Sequence, residues 1–134
     1  VMVRKFKFID LYPGAAPVEA IYATLGIEMD AGNVKCSAPA LSHAAKRHPD
    51  DVSVILPHLS DIISHPLYMG DDFRNPGKIE LVGKIAGRTG AALVAVTVVL
   101  NANDGHYHVC SMYLITQSEL DKKRDKGILK VTRI

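Results

Sequence analysis

The chain changes texture near its middle, reading as short helical stretches before residue 64 and as strands afterwards. Residues 17–25 predict a first helix, ended by Gly26. Residues 33–36 predict a short extended piece. Ser37 is placed to cap a second helix that tolerates Pro39 in its first turn and runs to His48, where Pro49 stops it. Residues 51–64 predict a third helical stretch, interrupted at Pro57.

Beyond this, residues 78–85 alternate, with Ile79, Leu81 and Ile85 on one face and Lys78, Glu80 and Lys84 on the other. Residues 92–100 are apolar on both faces, as in a central strand. The cluster 101–105 ends in Asp104-Gly105, a strong hairpin signal, and residues 106–115 return as the partner strand. Thr116 and Glu119 have the spacing of a capping box opening a last helix, closed by Gly127, and residues 128–131 predict an edge strand. Strict alternation would send Tyr107, Val109, Ser111 and Tyr113 to one sheet face and His106, His108, Cys110, Met112 and Leu114 to the other. Cys110, Met112 and Leu114 suit a helix-covered face; Tyr107, Ser111 and Tyr113 suit an open one. The expected fold class is α+β, with N-terminal helices packed on a four- or five-stranded antiparallel sheet whose other face is open to a ligand.

With 134 residues, 48% hydrophobic and 22% charged, and no repeat or linker, the chain is expected to form a single domain over 1–134. No apolar run approaches the roughly 20 residues of a membrane helix. No secretory signal is visible, and the opening Val1 fits a domain taken from a longer polypeptide. Cys36 and Cys110 are expected to be a reduced, buried pair. The net charge of +2 does not by itself imply nucleic acid. Positive charge gathers, however, at Arg4, Lys5 and Lys7, at Lys46 and Arg47, and at Lys122, Lys123, Arg124 and Lys126. Each cluster fits a solvated face, and together they permit a phosphate-contacting surface.

The segment around the second helix carries the most chemistry. His43 shares a helix face with Lys46 and Arg47, and His48 lies at the helix end. Metal-independent RNA cleavage needs a base for the 2′-OH proton, an acid for the leaving oxygen and a cation for the phosphorane, which two histidines with Lys46 or Arg47 supply. The same residues also fit a basic helix end whose imidazoles merely cap or pack. Ser111 is suited to bonding a phosphate and Tyr113 to stacking on a base, although an amphipathic strand accounts for both. Lys46, Arg47, His48 and Ser111 are expected around one cleft. His106 and His108 share a strand face, but no third ligand stands at diagnostic spacing, so no metal and no cofactor are expected.

In order along the chain, Ile21-Tyr22, Leu25-Gly26, Ser37, His43, Lys46-Arg47-His48-Pro49, Ile62-Ile63, Pro66, Tyr68, Ile79-Glu80-Leu81-Val82 and Ser111-Met112-Tyr113 form a pattern. It resembles the phage-associated nucleases of the barnase–EndoU–colicin–RelE superfamily over about residues 20–130. Ser111 stands where that pattern has a threonine, and His65 where it has a small polar residue. The resemblance implies a helical start before a four- or five-stranded antiparallel sheet, and a metal-independent endoribonuclease with His43 and His48 as acid–base candidates. It also implies a toxin domain acting in the bacterial cytoplasm, delivered at the end of a secreted or phage-encoded protein and paired with an immunity protein. A non-catalytic RNA- or protein-binding module on the same fold is the alternative, and a metal-dependent enzyme using His106 and His108 a third.

Overall fold

The computed structural model describes residues 8–71 and 74–133. The elements run β1 (Leu11–Ala15), α1 (Val18–Leu25), β2 (Asn33–Cys36), α2 (Ala38–Arg47) and α3 (Pro49–Ile55). A 3-10 turn (Leu56–His58) follows, then α4 (Leu59–Ser64), β3 (Tyr68–Asp71), β4 (Lys78–Gly83), β5 (Ala91–Thr97), β6 (Tyr107–Ile115), α5 (Gln117–Asp125) and β7 (Leu129–Val131). The fold is mixed α+β, but among the described residues the sheet has seven strands in the order β1-β2-β6-β5-β4-β3-β7, not four or five. Every neighbouring pair is antiparallel except β2 with β6. Helices are not confined to the N-terminal side, since β1 precedes α1 and α5 follows β6. No helix among the described residues is long and apolar enough to cross a membrane. The basic Arg4, Lys5 and Lys7 lie outside the described residues.

The helix boundaries follow local chemistry. Ser37 Oγ accepts from Ala40 N at 3.2 Å to start α2, and Gly26 (φ 72°) ends α1 in a left-handed conformation. At the start of α5, Thr116 Oγ1 accepts from Glu119 N while Glu119 Oε1 accepts from Thr116 N, completing the capping box.

The main core lies between α1–α4 and one sheet face, with Val34, Ile79, Leu81, Val94, Val96, Tyr107, Val109 and Met112 turned into it. A smaller cluster of Val82, Leu93, Ile115, Leu120 and Leu129 fills the opposite face beneath α5, so that face is open only in part. Strict alternation in β6 is wrong. Ser111 pairs with Ala95 but Val109 pairs with Val96, which leaves Cys110 as an extra residue in a β-bulge. Tyr107 and Val109 therefore face the same core as Met112 and Leu114, while Tyr113 packs against the smaller cluster. Tyr107 is not an open-face residue: it is buried and its hydroxyl donates to the Asp30 carbonyl at 2.6 Å.

Candidate active site

β2 pairs with β6 only through Val34–Tyr107 and Lys35–His108. Past that point β6 is a sheet edge, and the end of α2 and the start of α3 lie against it. Asp51, in the first turn of α3, accepts from the edge N–H of Leu114 at 3.0 Å, satisfying a donor that has no strand beside it. The result is a cleft of about 370 Å³ lined by His43, Arg47, His48, Asn75, Lys78, Ala95, Cys110, Ser111, Met112 and Tyr113.

His48 is both the C-cap of α2 and the N-cap of α3. Its N–H still donates to Ala44 O at 2.8 Å, while Pro49 opens the next helix, so the backbone carrying the imidazole is held from both sides. The ring stands 5.5 Å from the Tyr113 ring at 32°, and its Nδ1 is 3.9 Å from Asp51 Oδ2. His43 and Arg47 arrive one turn apart on the same face of α2. From the sheet side, Glu80, Ala95 and Ser111 stand abreast on β4, β5 and β6. The small Ala95 side chain leaves a hollow on whose edge Ser111 sits. Lys78, one pleat along β4 from Glu80, is half-buried beside it.

Five of the six residues singled out from the sequence thus meet: His43, Arg47, His48, Ser111 and Tyr113. Lys46 does not line this cleft; it is exposed on α2. Sequence reasoning missed Lys78 and Asn75, which no local spacing connects to α2, and Asp51, which stands three residues after His48. Lys78 could have been noticed only as the polar member of an alternating strand. Cys110 is half-buried, not buried. Burial raises its thiol pKa against the opposing charge of Lys78, and burial beside Asp10 pushes Cys36 up to about 11.

Glu80, which the alternation groups with Lys78 and Lys84 on the polar strand face, is buried, with Lys123 Nζ 3.4 Å from its Oε1. His106 and His108 also have a carboxylate beside them that their spacing did not reveal. Asp104 Oδ2 lies 2.8 Å from His108 Nε2 and 3.5 Å from Lys35 Nζ, and Asp104 Oδ1 accepts from His106 N at 3.0 Å. The His106 N–H bond, with His108 and Lys35 nearby, lowers the Asp104 pKa to about 2 despite some desolvation. Among the described residues no group of three or more His, Cys, Asp or Glu is arranged to hold a metal.

Two imidazoles, two cations and two hydroxyls line this small-floored hollow, groups that can hold an anion and transfer protons beside it. A family model described as phage-Barnase-EndoU-ColicinE5/D-RelE like nuclease3 matches residues 14–122, and the chain belongs to that nuclease-like family. No curated protein and no solved structure matches it.

Proposed function

We propose that the protein is a metal-independent endoribonuclease that cleaves RNA by attack of the 2′-OH on the adjacent phosphorus. The observation that carries this reading is the meeting of His43, His48, Arg47, Lys78 and Ser111 in one cleft, drawn from opposite halves of the chain. One imidazole takes the 2′-OH proton as the new P–O bond forms. The other donates a proton to the departing 5′ oxygen as its bond to phosphorus breaks, leaving a 2′,3′-cyclic phosphate and a 5′-OH. Arg47 and Lys78 offset the charge on the phosphorane, Ser111 donates to a non-bridging oxygen, and Tyr113 offers a ring for a base. Lys78 takes the role the sequence suggested for Lys46. The family's description supports only a phage-associated, nuclease-like protein; we extend this to a toxin acting in the bacterial cytoplasm, carried as the terminal domain of a secreted or phage-encoded protein and held in check by an immunity protein.

The test is end-labelled RNA incubated in EDTA, with and without a single 2′-deoxy sugar at the mapped cut. Expected are cyclic-phosphate ends, a rate that passes through a maximum with pH, and losses of about 10²–10⁴-fold for His43→Ala or His48→Ala. Cleavage that persists at the deoxy position would overturn the mechanism. Binding without cleavage would make the protein a recognition module.

A further inference from the structure

The cleft at His48 does not end at Tyr113. A second hollow, of about 430 Å³, adjoins it and shares two of its walls, Asn75 and Tyr113. Its remaining lining is Asp71, Arg74, Glu80, Lys122, Lys123, Lys126 and Ile128. The two hollows lie side by side along β4, since Lys78 stands in the first and Glu80, two residues on and on the same face, in the second. Two strand residues span roughly 7 Å, a step comparable to one extended nucleotide.

Glu80 is buried and its carboxylate is engaged by Lys123, with Nζ 3.4 and 3.5 Å from its two oxygens. Arg74, Lys122 and Lys126 are exposed around it, against the half-buried Asp71. The other basic residue of this helix, Arg124, lies over the Tyr68 ring at 4.7 Å and lines a different hollow. α5 thus turns Lys122 and Lys126, one helical turn apart, toward the groove that runs on from the cleft.

We propose that the hollow at Arg74, Lys122 and Lys126 is a second phosphate subsite, so that the substrate is single-stranded RNA lying along both hollows across Tyr113. This rests on the nuclease reading of the first cleft. A single strand fits because its unstacked bases can reach the Tyr113 ring while successive phosphates meet cations on either side.

The experiment compares wild type, Lys122→Ala/Lys126→Ala and the charge-matched control Arg88→Ala/Lys130→Ala, whose residues line neither hollow. Lys122 and Lys126 are exposed, and alanine favours helix, so α5 should be retained. Cleavage of an RNA dinucleotide and a hexamer is measured, together with fluorescence-anisotropy binding of a 2′-O-methyl RNA hexamer at 50 and 200 mM salt. The expected result is dinucleotide cleavage within twofold of wild type in all three proteins, and selective loss of hexamer cleavage in the Lys122/Lys126 variant. Each lost single-strand phosphate contact removes about 0.7 from the salt slope, so across this salt range wild type should lose about sevenfold more hexamer affinity than that variant.

A Lys122/Lys126 variant with wild-type salt dependence, or a control that loses as much, would overturn the subsite. So would equal losses on dinucleotide and hexamer. If wild type binds the hexamer with this dependence yet cleaves neither RNA, the subsite stands and the nuclease reading fails. If both RNAs are cleaved and the variant is indistinguishable from wild type, the nuclease reading stands and the subsite fails.

Discussion

Asp51 holds a strand edge and faces a candidate catalytic imidazole, and two substitutions separate these roles. Its Oδ2 accepts from Leu114 N at 3.0 Å and lies 3.9 Å from His48 Nδ1. Asp51→Ala leaves the half-buried Leu114 N–H without its partner. A hydrogen bond to a charged acceptor contributes about 1.5–3 kcal/mol, so a loss near 2 kcal/mol is expected. Asp51→Asn keeps an oxygen to accept the bond but not the charge, and should cost about 1 kcal/mol. For a domain of this size each kcal/mol is worth about 4 °C, so Tm should fall about 8 °C for the alanine variant and about 4 °C for the asparagine variant. Contact with His48 is partly solvated, with side-chain exposures of 41% and 28%, which limits its contribution to about 0.2–1 kcal/mol. RNA cleavage by Asp51→Asn should therefore drop no more than about fivefold. Urea and thermal melts read the first effect, and initial rates the second. An alanine variant as stable as wild type, or an asparagine variant equally destabilised, would refute the bond to Leu114 as the source. A hundredfold loss of rate in Asp51→Asn would show that the carboxylate does more than sit beside the ring.

Lys78→Ala should lower the cleavage rate about 10²-fold, as loss of a group stabilising the transition state does, while Lys46→Ala should change it less than about fivefold; steady-state rates on one RNA decide the order. Gly90→Ala should destabilise by about 3 kcal/mol or more in urea denaturation, because Gly90 has φ +79° and a Cβ there would collide with the Ile115 carbonyl oxygen. Asp104 has a folded pKa of about 2 against an ordinary 3.8, so the unfolded chain binds its proton more tightly. The stability it contributes is complete above about pH 4 and lost as pH falls toward 2. Urea midpoints of wild type and Asp104→Asn should accordingly converge over that window, and a constant gap would contradict the assignment.

The helices were legible because their signals are local: Ser37, Pro49, Gly26 and the Thr116–Glu119 box each act within a few residues. Two strands were not. β1 contains Pro13 and Gly14, which read as breakers, and its pairing with β2 is irregular between Leu11 and Gly14. β3 contains Gly70, which looks like a loop residue; a Cβ there would strike the Ile128 carbonyl and the Leu129 side chain, a crowding that only the folded chain reveals. The bulge at Cys110 defeated alternation in the same way, since an inserted residue leaves no mark on the hydrophobic pattern. Within the site, His43, Arg47 and His48 were found together because one helix carries the first two and ends at the third. Lys78 reaches the cleft only because β5 pairs with both β4 and β6, and Asp51 meets the Leu114 N–H only once α3 packs on β6.

The short parallel pairing of β2 with β6 has a kinetic consequence. β3, β4, β5 and β6 can pair as a meander closed by brief connections, and β1 can pair with β2 across α1, each within its own stretch of chain. Joining the two groups requires closing the long loop from Val34 to Tyr107, an entropically costly contact that gains little until the helices dock. His43, Arg47 and His48 follow directly on the β1–β2 pair, and Lys78, Ser111 and Tyr113 belong to the meander. A chain folded in only one half therefore carries only half of the cleft. Any cleaving activity should appear with the last, long-range step of folding and be absent from the nascent chain until β6 has emerged.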